Sequence, residues 1–196
     1  MKKILFLTML IFALEGCVAT MAVTGVEAVS SAADGRSIGS QIDDTTLKAR
    51  LKAALFGEKG FPSSKVSVYV FDNVVFLVGV LDSESLKVWA KRIIKEHTSA
   101  EVIDYLQVGP YDYADYANDL KLTATVKAKL FKDKVAPYSG ISIETINEEV
   151  YVFGKVSAPE KLERIESIIS GIPSVKSMNN NITVNDWKRC LTIRIF

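Results

Sequence analysis

Apolar positions in this chain run through one series of patterns twice, at a constant offset of 75 residues. Asp44, Leu47, Leu51, Leu55 and Phe56 correspond to Asp119, Leu122, Val126, Leu130 and Phe131, and their three-and-four spacing predicts a helix in each copy. The register continues without a gap: Val66 and Val68 match Ile141 and Ile143, then Val75, Leu77 and Gly79 match Val150, Val152 and Gly154. Two copies are too few for a solenoid, so each is expected to be a compact domain of about 70 residues.

The first copy predicts a helix from about Asp44 to Phe56, capped by Asp43 or Asp44. Strands 66–71 and 74–81 follow, joined by a short turn at Asp72-Asn73. A second helix, about 84–96, carries Leu86, Trp89, Ala90, Ile93 and Ile94 on one side, and 102–108 returns as a strand. The second copy predicts a helix from Asp119 to about Lys132, strands at 141–146 and 150–156, a helix at 159–170 opened by Pro159, and a strand near 182–184. The fold class is α+β: two tandem αββαβ units, each a three-stranded sheet with both helices on one face. The other sheet face displays Tyr69, Phe71, Phe76, Val78 and Val80 in the first copy, against Ser142, Glu144, Tyr151, Phe153 and Lys155 in the second. An apolar face of that size needs a cover. Either the second copy or the Tyr111-Tyr113-Tyr116 segment packs there to make one rigid body, or the face binds a partner. Gly79 and Gly154, inside strands, read as packing positions where a bulkier residue would wedge the helices off the sheet.

Composition bounds the address more than the chemistry. The 196 residues are 48% hydrophobic and 24% charged, ordinary globular material. Lys2-Lys3 followed by an uncharged apolar run from Ile4 to Leu14 predicts a secretory signal over 1–16, too short to span a bilayer. Leu14-Glu15-Gly16-Cys17 resembles a bacterial lipobox, with Cys17 as the lipid-attachment residue and Glu15 departing from the usual small residue; an ordinary signal peptide with a nearby cysteine is the other reading. Val18 follows the cysteine where a retention aspartate would stand in inner-membrane lipoproteins, so that resemblance favours the outer membrane. Residues 17–41 are rich in Ala, Val, Ser, Thr and Gly and read as a tether, although they could pack on a domain surface. Domains are expected at 42–109 and 118–186, with a Tyr-rich linker at 110–117 and a tail at 187–196. Without the signal, 22 basic and 22 acidic side chains remain, and bulk attraction to nucleic acid is not expected. Cys190 is left without a partner if Cys17 is acylated, and reads as a small buried hydrophobe or a redox thiol.

The αββαβ order, with VVFLVGVL and EVYVFGKV as glycine-containing central strands, resembles the BON domain in both copies. With GCVAT at the lipid site, DGRSIGSQIDD before the first helix and NDLKLTATVKAKL opening the second copy, the chain resembles dual-BON outer-membrane lipoproteins of the division- and stress-associated lipid-binding type. The resemblance implies a periplasm-facing, outer-membrane-anchored protein without catalytic activity or cofactor beyond its covalent lipid. It also implies that the first helix of the second domain binds anionic phospholipid, and that loss of the protein weakens the envelope barrier. Lys121 stands where the resembled proteins carry an aromatic residue early in that helix.

The residues offer their own support for a lipid-binding helix. On a helical wheel Leu122, Val126 and Leu130 form one stripe, and Leu120, Ala124, Ala128 and Phe131 form a second, nearly opposite. Lys127 borders the second stripe on one side, Lys121 and Lys132 on the other, an arrangement suited to an acyl boundary and lipid phosphates. Residues 118–134 hold five lysines against two aspartates, net +3, whereas 43–59 carry net +1. The first copy's stripe of Thr45, Ala49, Ala53 and Phe56 lacks the leading leucine. A solvated lysine face is the plain reading, and a protein-binding adaptor using the first copy's sheet face or the Tyr linker is the competing function. An enzyme is not expected: GxSxG, P-loop, HExxH and CxxC motifs are absent, His97 reads as a helix-end residue, and Asp112, Asp115 and Asp119 as a solvated loop. Trp187–Phe196 alternates Leu191, Ile193 and Ile195, fitting an added strand, while Trp187, Lys188 and Arg189 fit an interfacial anchor.

Overall fold

The computed structural model describes residues 38–133 and 140–184. The signal, Cys17, the tether to 37, Cys190 and the tail lie outside them. In chain order the elements are α1 (Ile38–Gly57), a 3-10 turn (Ser63–Lys65), β1 (Val66–Phe71), β2 (Val74–Leu81), α2 (Glu84–His97) and β3 (Glu101–Val108). The second copy gives α3 (Tyr113–Asp133), β4 (Ile141–Ile146), β5 (Glu149–Val156), α4 (Pro159–Ser170) and β6 (Ser177–Val184). Each sheet has its longest apolar strand in the middle, in orders β1-β2-β3 and β4-β5-β6. The hairpin partners are antiparallel, and the strand returning after the helix is parallel.

Alternation in the central strands sorts the core. Val75, Leu77 and Leu81 pack with Leu47, Leu51, Leu55, Ile93 and Ile94 under the first helix pair, and Val150, Val152 and Val156 do the same under the second. The intervening residues Phe76, Val78, Val80, Tyr151 and Phe153 form a third cluster in which the two sheets face each other. The layers are therefore helix, sheet, sheet, helix, and the second copy is the cover that the first copy's apolar face requires. Phe153 is fully buried there, its ring stacked 4.9 Å from Tyr69 and tilted by 46° against Phe76 at 4.8 Å.

Equivalent positions meet across this interface. Tyr69 Oη donates to Glu144 Oε2 at 2.5 Å, and Tyr105 Oη donates to Asn181 Oδ1 at 2.8 Å. Glu144 is the counterpart of Tyr69, and Asn181 that of Tyr105 once the one-residue insertion before β6 is counted: Leu77 pairs with Asp104, but Val152 with Asn180. The two domains are thus related like the subunits of a two-fold dimer.

Three local expectations are corrected. Both first helices begin about six residues early, so Asp43 and Asp44 lie inside the first and are not caps, and Asp119 lies buried inside the second and not in a solvated loop. Each buried carboxylate instead accepts two amides of its own hairpin turn: Asp44 from Asp72 and Asn73 at 2.9 and 3.0 Å, Asp119 from Asn147 and Glu148 at 2.7 and 2.9 Å. All four turn residues have positive φ, as a two-residue hairpin turn requires, and the carboxylate holds that conformation in place of glycine. Gly79 and Gly154 also face something other than a helix. A Cβ there would meet the backbone carbonyl before the neighbouring strand, Lys65 O at 2.0 Å and Gly140 O at 1.9 Å.

The interface predicts an alkaline limit. Burial and the neighbouring Glu144 carboxylate push the Tyr69 hydroxyl far above its ordinary range, and burial with Asp119 does the same for Tyr111. Burial, opposed by the Gln107 hydrogen bond and reinforced by Glu149, pushes Tyr151 up to about 12. Raised folded-state values mean that this stability is full below the unfolded tyrosine value near 10 and is lost as pH climbs above it. Urea midpoints are expected to hold steady up to about pH 9 and fall by about pH 11, and a Tyr69→Phe variant should lose part of that fall.

Candidate lipid-contact helix

Helix α3 is fixed from below and along its length. Leu122, Val126 and Leu130 are buried against the second sheet, Thr123 Oγ1 donates to Thr145 Oγ1 at 2.7 Å, and Arg164 of α4 binds Asp133 at the C-terminal end. Its first turn is organised by reciprocal capping: Asp112 Oδ1 accepts from the Ala114 and Asp115 amides, and Asp115 Oδ2 accepts from the Asp112 amide.

The residues expected to contact lipid all lie on this helix. Leu120 and Phe131 are 57% and 70% exposed. Lys121, Ala124, Ala128 and Lys132 are also exposed, and Lys127 is half-buried. Tyr113 and Tyr116, assigned by sequence reasoning to a linker, belong to the same helix and are exposed. At helical spacing they carry the exposed stripe two turns beyond Leu120. The Asp112-x-x-Asp115 spacing was the signal for this earlier start. Tyr111 turns inward, its hydroxyl donating to Asp119 at 2.7 Å.

Charge on the outward face is set by which carboxylates are occupied. Asp119 is buried in its turn, Asp115 caps the helix, and Asp133 is held by Arg164, which keeps its carboxyl below the usual carboxylate range. Lys121, Lys129 and Lys132 remain exposed. Helix α1 has an outward stripe too, because its early start adds the exposed Ile42 to Ala49, Ala53 and Phe56. There Lys48 is drawn into the interface, 5.0 Å from the Tyr69 ring centroid, with burial and Lys52 lowering its pKa.

Beside α3 a cleft of about 630 Å³ runs between the domains, with Leu120, Tyr116 and Lys127 on one wall and Ser64, Ser67 and Val80 on the other. Of the remaining candidates, His97 caps its helix end through Nδ1 and the Ile93 carbonyl at 2.8 Å. Trp89 packs edge-on to Phe61 as part of the first core. Among the described residues no helix is long and apolar enough to cross a membrane.

The chain is similar to known proteins over most of its length. The chain is 30% identical over 180 residues to the outer membrane lipoprotein DolP of Haemophilus influenzae, covering 89% of this chain and 93% of that protein. It is 30% identical over 149 residues to the osmotically-inducible protein Y of Escherichia coli, covering 74% of each. The BON domain pattern matches residues 43–110 and again 118–186, the two halves of the sheet-on-sheet sandwich, and the chain therefore belongs to the BON domain family as a protein with two such domains.

Proposed function

We propose that this protein is a non-catalytic envelope lipoprotein, held through a lipid on Cys17 in the outer membrane and facing the periplasm. The outward face of α3 rests on anionic phospholipid, and the protein supports outer-membrane integrity. The observation that carries this reading is the exposed stripe from Tyr113 to Phe131, flanked by lysines on a helix whose acidic residues are otherwise engaged. Kinship with a protein named as an outer membrane lipoprotein supports the address. A lipid chain and a basic amphipathic face are each weak anchors, and together they retain a protein stably.

Flotation of residues 18–196 with neutral vesicles, and with vesicles containing phosphatidylglycerol or cardiolipin, tests the reading. Binding is expected only to the anionic vesicles and is expected to weaken in high salt. Each lysine near an anionic surface contributes about 1 kcal/mol, so the double variant Lys121→Glu, Lys127→Glu should bind at least about 30-fold more weakly. Its circular dichroism and melting should stay close to those of the parent. Unchanged binding by a folded double variant would exclude this helix as the contact.

A further inference from the structure

We propose that Trp187, three residues past the end of β6, packs across the domain interface onto Phe71 with its indole N–H toward Asp44, and so fastens the tail to the first domain. This goes beyond the lipid reading and rests on a different surface. The observation behind it is the way the chain leaves the first sheet. Past β3 the Gly109 amide still pairs with Leu81 O at 3.1 Å, and the chain then lays the Tyr111 ring on the interdomain cluster, where Val80 and Ile146 line the same cleft. The Tyr111 hydroxyl reaches Asp119 of α3 at 2.7 Å. One aromatic side chain thereby straps the exit of the first domain to the first helix of the second.

The two-fold relation of the domains predicts a second strap, from the exit of β6 to α1. Register between the third strands holds to their ends. Asp104 Oδ1 accepts the Leu106 amide and Asn180 Oδ1 the Ile182 amide, both at 2.9 Å, and Leu81 pairs with Val108 as Val156 pairs with Val184. Val108 and Val184 are therefore equivalent, and three residues beyond them stand Tyr111 and Trp187.

The receiving side is in place as well. Lys155, the counterpart of Val80, binds Asp72 Oδ2 at 3.1 Å, so the end of the second sheet lies against the hairpin turn of the first domain. The amides of that turn are held by Asp44, the counterpart of Asp119. Phe71, the counterpart of Ile146, is partly buried on the same cluster with its ring 6.5 Å from Phe153. Three residues cover up to about 10 Å, the same allowance that brings Tyr111 from Val108 to the cluster. A carboxylate takes more than two donors, and Asp119 accepts Tyr111 beside its two turn amides. The stretch entering α1 offers Arg36 at the same spacing from Asp44 as Tyr111 from Asp119. Of the two, only Trp187 joins a ring for the apolar cluster to a donor at its rim, and this commits the occupant.

The test reads Trp187 in residues 18–196 without vesicles, from the difference between the parent and Trp187→Phe, which leaves Trp89 in place. Acrylamide should quench Trp187 several-fold less in the folded protein than in urea, and its indole N–H should show nuclear Overhauser contacts to the Phe71 ring. A chain ending at Trp187 should keep the parent's urea midpoint, whereas a chain ending at Asp186 should have a lower one. Quenching as strong as in urea would overturn the proposal, as would contacts of Arg36 in place of Trp187 with Phe71 and Asp44. So would shielding of Trp187 that appears only with anionic vesicles, which would give it to the membrane. A midpoint already lowered in the chain ending at Trp187, with no further loss at Asp186, would give the stability to a strand at 191–195 and contradict the strap.

Discussion

Gly154→Val is expected to abolish folding of the second domain. The substituted Cβ would sit 1.9 Å from the Gly140 carbonyl oxygen and 3.0 Å from Ile141 Cα, at a φ of +142°. These neighbours are backbone, so no side chain can swing aside, and relief requires β4 to part from β5 at the centre of the sheet. Strain and lost pairing together exceed about 4 kcal/mol, the range reserved for substitutions that break a named constraint. Gly79→Val meets the Lys65 carbonyl at 2.0 Å and should have the same effect on the first domain. Because the domains share the Phe76–Phe153 cluster, each variant should lower the cooperativity of the whole chain in urea unfolding. Gly171→Ala is the control: its nearest contact is 3.3 Å at a helix end, and its stability should stay close to that of the parent.

Asp119→Ala is expected to cost about 3 kcal/mol or more. The carboxylate is 3% exposed, and its removal strands the Asn147 and Glu148 amides and the Tyr111 hydroxyl together. Two non-glycine residues at φ of 52° and 64° would also lose the group that holds them there. The consequence reaches the proposed lipid face, because Asp119 ties the N-terminal half of α3 to the β4–β5 hairpin. Amide exchange over Tyr113–Leu120 should speed up in the variant while α4 stays protected. Tyr111→Phe removes one of the three hydrogen bonds and should cost about 1 kcal/mol. Equal stability of Asp119→Ala and the parent would contradict the clamp.

The repeat was legible because a helix and a strand write different periods, and both periods recur in register. The sheet face needing a cover was legible too, from Phe76 and Val78 on the side away from the helices, but sequence left two candidate covers open. The helix starts were misplaced because Asp44 and Asp119 look like caps at the head of an apolar repeat. Their partners, the hairpin turns, lie 28 and 29 residues away and carry no glycine to mark the positive φ. Tyr113 and Tyr116 were hidden by the same error: tyrosines among aspartates resemble a linker until the reciprocal Asp112–Asp115 capping is seen.

Site-specific labelling measures the central claim most directly. With both native cysteines replaced by serine, a polarity-sensitive fluorophore is placed at Phe131→Cys or at its equivalent on the first domain, Phe56→Cys, and vesicles containing phosphatidylglycerol are added. A blue shift at 131 and none at 56 is the predicted result, since the outward stripe of α3 is flanked by the exposed Lys121 and Lys132, whereas on α1 Lys48 is drawn into the interface and Lys52 is left as the exposed lysine. A shift at 56 alone, or at neither position while the protein still floats with the vesicles, would contradict the account.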